Sequence, residues 1–107
     1  MILIVVKFRA KEEAVDGFLD AVADFTAATR AEPGNLWFEW SRSVERDDEF
    51  VLVEAFRDGA AEAHVNSDHF RAGLAAMKPL LKETPLIVSR VVDGEGWDRM
   101  GELTIDG

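Results

Sequence analysis

Two consecutive β-strands are predicted within residues 36–57, LWFEWSRSVERDDEFVLVEAFR. The first strand alternates, and its two faces are Leu36, Phe38 and Trp40 on one side and Trp37, Glu39 and Ser41 on the other. Residues 50–57 are rich in β-branched and aromatic side chains, which favour a second strand. The polar residues 45–48 between the two predict a short turn, so the segment is expected to form a hairpin.

The segments before and after the hairpin are each predicted to contain helix and one further strand. In chain order the predicted elements are a strand at 2–9, a helix at 11–31, the hairpin, a short helix at 60–65, a helix that Ser67 caps and Pro79 interrupts near Ala76, and a strand at 84–92. The order βαββαβ predicts a ferredoxin-like α+β fold, one four-stranded antiparallel sheet with two helices on one face. Residues 1–92 form this predicted domain, and residues 93–107 a polar C-terminal tail.

Composition narrows the possible functions. The chain has 107 residues, which is the length of one domain, and 12 basic against 21 acidic residues give a net charge of −9. This charge argues against binding to nucleic acid and against docking on an anionic membrane. There is no cysteine, which excludes disulfides, thiolate zinc sites and cysteine nucleophiles. No signal peptide or membrane span is recognised, so a cytoplasmic location is expected.

The strands carry apolar side chains on both faces. In the third strand, for example, Leu52 and Phe56 lie opposite Val51 and Val53. Two helices can cover only one face of a sheet, and the tail is too polar to cover the other. We therefore expect a homodimer in which two sheets pack face to face. The alternative is that some of these side chains are simply exposed, which is common for single apolar residues.

The chain has only two histidines, His64 and His69, and Glu54 lies on the strand just before them. A histidine beside a carboxylate suits proton transfer, because its ordinary pKa is near neutral and the carboxylate orients the ring. The alternative is that the histidine only closes a buried hydrogen-bond network. Five residues on one helix correspond to about 140° of rotation, so we expect no shared metal ion.

Aromatic residues are concentrated in the hairpin, where they form either core or an apolar cavity for a flat ligand. Glu54 favours a cavity, because a carboxylate among apolar neighbours is costly to bury unless a histidine, Arg90 or backbone amides pair with it. No Gly-rich phosphate loop is present.

An ordered set of short motifs, Glu32-Pro33-Gly34-Asn35-Leu36, FVLVEAF at 50–56, Ala63-His64 and Ser67-Asp68-His69-Phe70, resembles the antibiotic biosynthesis monooxygenase domain. The resemblance spans residues 2–92. It implies a dimeric α+β barrel and an activity from a varied set: cofactor-independent monooxygenases of quinols and polyketide-type phenols, haem-degrading enzymes and a few isomerases. Residues 7–9 lack the asparagine of the haem-degrading members, which disfavours that activity.

The leading hypothesis is a cofactor-independent monooxygenase that oxidises a quinol or a polyketide-like phenol with O2. In it His64 is the base and Glu54 orients it, and the expected substrate contacts are Asn35, Trp37, Phe56, His69, Phe70 and Arg90. The alternatives are a non-catalytic barrel that binds a small ligand, as in a stress response, and an isomerase of a small metabolite.

Overall fold

The computed structural model describes residues 1–106; the last residue of the predicted tail, Gly107, lies outside the described residues. The strands are β1 (Ile2–Arg9), β2 (Asn35–Arg42), β3 (Glu49–Phe56) and β4 (Leu86–Val91). The α-helices are α1 (Phe18–Ala21), α2 (Ala23–Arg30), α3 (Ala60–Val65) and α4 (Asp68–Met77). Single 3₁₀ turns lie at Glu12–Ala14, Lys78–Leu80 and Gly101–Leu103.

The four strands form one antiparallel sheet in the order β2-β3-β1-β4, which confirms the ferredoxin-like α+β fold. Because side chains alternate along a strand, the register assigns each residue to a face. On the inner face, which packs against the helices, Glu54 lies between Ile4 and Phe38 of its two neighbouring strands. The core on this face is aromatic and aliphatic, and its fully buried side chains include Phe18, Phe38, Phe50, Leu52 and Phe56. Most hairpin aromatics are therefore core.

The predicted helix at 11–31 is in fact three short pieces. The first break includes Gly17, and glycine is a poor helix former. The second is at Val22, whose backbone (φ −102°, ψ 8°) leaves the helical region while its side chain stays buried. The apolar stripe predicted the buried face correctly, because Phe18, Val22 and Phe25 all enter the core.

The prediction for the second helical segment is confirmed. The hydroxyl of Ser67 accepts a hydrogen bond from the backbone N–H of Phe70, 3.1 Å away, and caps α4. The α-helix ends at Met77, and the following 3₁₀ turn contains Pro79. Among residues 1–106 no helix is both long and apolar enough to cross a membrane.

The outer face of the sheet is open over most of its area. Val88 is more than half exposed, and Leu3, Val5, Val51 and Val53 are only partly buried. The tail contacts this face at one place, where the ring of Trp97 packs on that of Trp37 with centroids 5.1 Å apart. Within residues 1–106, the apolar strip that these five aliphatic residues form along the sheet is left partly exposed.

Candidate active site

A small cavity of about 240 Å³ lies between the inner face of the sheet and helices α3 and α4. Its lining includes Ile4 and Leu52 from the sheet and Phe70 and Leu74 from α4. Glu54 and His64 also line it, and every other lining side chain is apolar. A neighbouring groove shares Phe8, Leu74, Met77 and Pro85 with the cavity and extends it toward solvent. An apolar cavity with two convergent ionisable groups is the usual form of a small-molecule site.

The carboxyl group of Glu54 is buried in this cavity. Burial raises the pKa of Glu54 to about 7, and the nearby carboxylate of Glu32 adds to the rise. A carboxyl group with such a pKa exchanges its proton readily near neutral pH, which suits acid–base chemistry.

The raised pKa predicts how stability changes with pH. The folded chain holds the Glu54 proton more tightly than the unfolded chain, so this contribution is complete below the ordinary pKa of 4.5 and is lost as pH rises through about 7. Glu54→Gln cannot ionise, so its free energy of unfolding should fall less between about pH 5 and about pH 8, by on the order of 2 kcal/mol. Urea unfolding of both proteins measures this; equal falls would contradict the assignment.

The imidazole of His64 is held by a different carboxylate from the one predicted. Its Nδ1 lies 2.7 Å from Oε2 of Glu32, which is a hydrogen bond, whereas its Nε2 lies 3.8 Å from Oε1 of Glu54, which is too far for one. With Glu32 as a carboxylate, Nδ1–H donates and Nε2 is left as an acceptor. Glu32 therefore orients His64, and the structure places Glu54 opposite the free nitrogen of the ring.

His69 meets the same carboxylate, which the sequence argument did not foresee. Its Nε2 lies 2.6 Å from Oε2 of Glu32. The two histidines converge because the helix is interrupted between α3 and α4. The expected 140° rotation between them assumed one continuous helix and therefore does not apply. Ser67 fixes the break: its hydroxyl donates to the carbonyl oxygen of His64 (2.6 Å) and accepts from the N–H of Phe70.

Glu32 is the site residue that the sequence reasoning missed as a functional group. It lies in the turn between α2 and β2, where Arg57, just after β3, donates to the carbonyl oxygens of Pro33 (2.6 Å) and Gly34 (2.8 Å). The turn is thereby attached to the strand that carries Glu54. The sequence contained one indication that Glu32 matters: it is the first residue of the Glu-Pro-Gly motif on which the family resemblance partly rests.

The other predicted substrate contacts are divided between the two faces of the sheet. Phe70 lines the cavity, and Phe56 packs behind His64, with ring centroids 4.7 Å apart. Trp37 and Arg90 lie on the outer face, opposite Ala55 and Leu3 respectively, away from the cavity.

The side chain of Asn35 stabilises the backbone at the start of β2. Its amide donates to the carbonyl oxygens of Trp37 (3.0 Å) and Ala55 (3.3 Å), at an irregularity in the register between residues 35 and 37. Of the eight predicted site residues, the structure brings together Glu54, His64, His69 and Phe70, with Phe56 behind them, and not Asn35, Trp37 or Arg90.

Glu32, His64 and His69 also meet the minimum composition of a metal site, since one ligand atom of each lies within 4.8 Å of the others. The distances fit hydrogen bonds better. Ligand atoms around a tetrahedral zinc ion with bonds of 2.0–2.1 Å are roughly 3.3 Å apart, whereas both ring nitrogens are within 2.7 Å of one carboxylate oxygen.

The chain is similar to known proteins in family and in fold. The family model "Antibiotic biosynthesis monooxygenase" matches residues 1–76. A protein of Bacillus subtilis (strain 168) named "Putative monooxygenase YcnE" is 32% identical over 91 residues, which cover 84% of this chain and 95% of that protein.

Solved structures show the same fold at lower identity. Rv0793 from Mycobacterium tuberculosis has a TM-score of 0.80 at 22% identity, covering 90% of this chain and 98% of that one. The structure titled "Putative antibiotic biosynthesis monooxygenase from Nitrosomonas europaea" has a TM-score of 0.79 at 24% identity, covering 86% and 98%. From the family match and the curated relative, the chain belongs to the antibiotic biosynthesis monooxygenase family.

Proposed function

We propose that this protein is a monooxygenase that oxidises a small quinol or polyketide-like phenol with O2 and needs no cofactor. The observation that carries the proposal is the apolar cavity in which Glu54 and the free Nε2 of His64 face each other. Its volume of about 240 Å³ is below the 300–1,000 Å³ typical of drug-sized ligands, which suits one or two aromatic rings.

The proposed reaction uses electrons from the substrate. Nε2 of His64 takes the proton of the phenolic hydroxyl, and Glu32 stabilises the resulting imidazolium. The electron-rich phenolate then reduces O2; one oxygen atom enters the ring and the other leaves as water, so a quinol becomes a hydroxyquinone without an external reductant. A bound substrate would displace water from the mainly apolar cavity, which protects the anion and the intermediate. In this proposal protonated Glu54 donates a hydrogen bond to the developing oxygen anion.

Oxygen consumption with a panel of hydroquinones tests the proposal. Uptake of O2 with formation of a hydroxyquinone is expected. Conversion of a substrate without O2 would favour an isomerase, and tight binding without conversion would favour a ligand-binding barrel.

We also propose that the enzyme is a homodimer that packs through the outer face of the sheet. Support comes from the uncovered strip of Leu3, Val5, Val51, Val53 and Val88 on that face. Apolar area of this kind is normally buried in an oligomer.

Activity without a metal ion is a separate expectation. Because the distances around Glu32 fit hydrogen bonds, treatment with EDTA followed by gel filtration should leave the rate of O2 uptake unchanged. Elemental analysis of the purified protein should find no stoichiometric iron or zinc. Loss of activity that is restored by one equivalent of a metal would contradict the cofactor-free proposal.

A further inference from the structure

A second depression in the surface lies between α2 and α4. It has a volume of about 270 Å³, and its lining includes Asp24, Phe25, His69 and Gly73. Phe25 lines both this groove and the active-site cavity, so its side chain stands between the two. The two histidines are divided in the same way, since His64 lines the cavity and His69 lines the groove.

Glu32 connects these two histidines by short hydrogen bonds. Its Oε2 is 2.7 Å from Nδ1 of His64 and 2.6 Å from Nε2 of His69. The exposed fraction of the side chain rises along the series, from 4% for His64 to 14% for Glu32 and 28% for His69. A continuous hydrogen-bonded series therefore runs from the buried ring of His64, which lines the cavity, to the more exposed ring of His69. Apart from His64, Glu54 is the one residue lining the cavity that could take up a proton.

We propose that Glu32 and His69 carry protons between His64 and solvent while substrate fills the cavity. The inference rests on the proposed function only for the source of the proton, the substrate hydroxyl. When Nε2 of His64 takes that proton, Nδ1–H passes its own proton to Oε2 of Glu32. Beside the carboxylate, His69 donates through Nε2–H, so onward transfer first requires exchange with water to its other neutral tautomer, with the proton on Nδ1 and none on Nε2. Glu32 then passes the proton to Nε2, and Nδ1 releases its own proton to water.

One proton enters at Nε2 of His64 and one leaves at Nδ1 of His69, so each group regains its charge. The reverse sequence resets both tautomers and supplies protons to the oxygen atom that leaves as water. His64 is thus the group that touches substrate, and His69 is a relay that acts through Glu32.

Exchange of the Nδ1 proton of His64 with water, measured by NMR without substrate, tests the relay. His69→Phe removes the relay, whereas His69→Gln keeps a donor for Glu32 but cannot ionise. Both variants should slow the exchange by about tenfold or more, which corresponds to about 1.4 kcal/mol in the barrier. Imidazole added to His69→Ala should restore fast exchange. Asp24→Asn, in the same groove but outside the series, is the matched control and should leave exchange unchanged.

The outcomes separate the relay from the activity. Unchanged exchange in His69→Gln, or no effect of imidazole on His69→Ala, would overturn the relay whether or not the protein consumes O2. Absence of O2 uptake by the wild type would overturn the proposed function, while the exchange rates still decide the relay. If both hold, kcat of His69→Ala should fall and recover with imidazole.

Discussion

His64→Ala is expected to lose about 10²–10⁴-fold in kcat at neutral pH, which is the usual contribution of a positioned general base. Glu32→Gln should lose part of this, because Gln cannot stabilise the imidazolium although it still accepts a hydrogen bond from Nδ1. Raising the pH should partly rescue His64→Ala, since phenols ionise in solution near pH ~10. The measurement is the initial rate of O2 consumption with a hydroquinone across a range of pH.

The control for this prediction is the folded state of each variant. His64 is buried and packs against Phe56 and Phe70, so its removal should also lower the melting temperature. Turnover must therefore be expressed per folded molecule, and His64→Gln, which fills more of the space, should lose activity with less loss of stability. Full turnover in a destabilised His64→Ala would assign the ring to the scaffold. The base would then be Glu54, His69 or solvent.

Val53→Lys is expected to dissociate the proposed dimer. Val53 lies near the middle of the outer face, on one of the two central strands and opposite Val5. An unpaired ammonium there would lose its hydration on assembly, which costs several kcal/mol, and each 1.4 kcal/mol is a factor of ten in affinity. The dimer dissociation constant should therefore rise by about 100-fold or more. Light scattering at micromolar concentration should give about twice 11.9 kDa for the wild type and a smaller mass for the variant.

Val44→Lys is the matched control, because it makes the same substitution at a fully exposed position between β2 and β3. It should leave the mass unchanged. A wild-type protein that is a stable monomer at these concentrations would refute the dimer directly. A Val53→Lys variant that remains a dimer would place the interface elsewhere.

Much of the fold could be predicted because the signals for it are local. The alternation in β2, the β-branched and aromatic residues of β3 and the capping hydroxyl of Ser67 act over a few residues, and the structure forms both strands and the cap. The interruption of the long first helix was missed, since its apolar stripe continues through Gly17 and Val22 whether or not the backbone does.

The candidate site depended on contacts between distant residues. Glu32 precedes His64 by 32 positions and His69 by 37, so no periodic pattern relates them. Their meeting requires the turn that Arg57 holds and the break that Ser67 fixes. A sequence with two histidines and many carboxylates could identify the chemistry available but not which carboxylate would orient which ring.

The sequence alone determined the strand and helix order, the family resemblance and the expectation that Glu54 and His64 lie in one region, because side-chain periodicity and ordered motifs are properties of the chain itself. Only the tertiary structure decided that Glu32 orients His64, that His69 reaches the same carboxylate, and that Trp37 and Arg90 lie on the far face. The physical reason is that hydrogen bonds require placement within a few tenths of an ångström, and that placement follows from the packing of helices on the sheet.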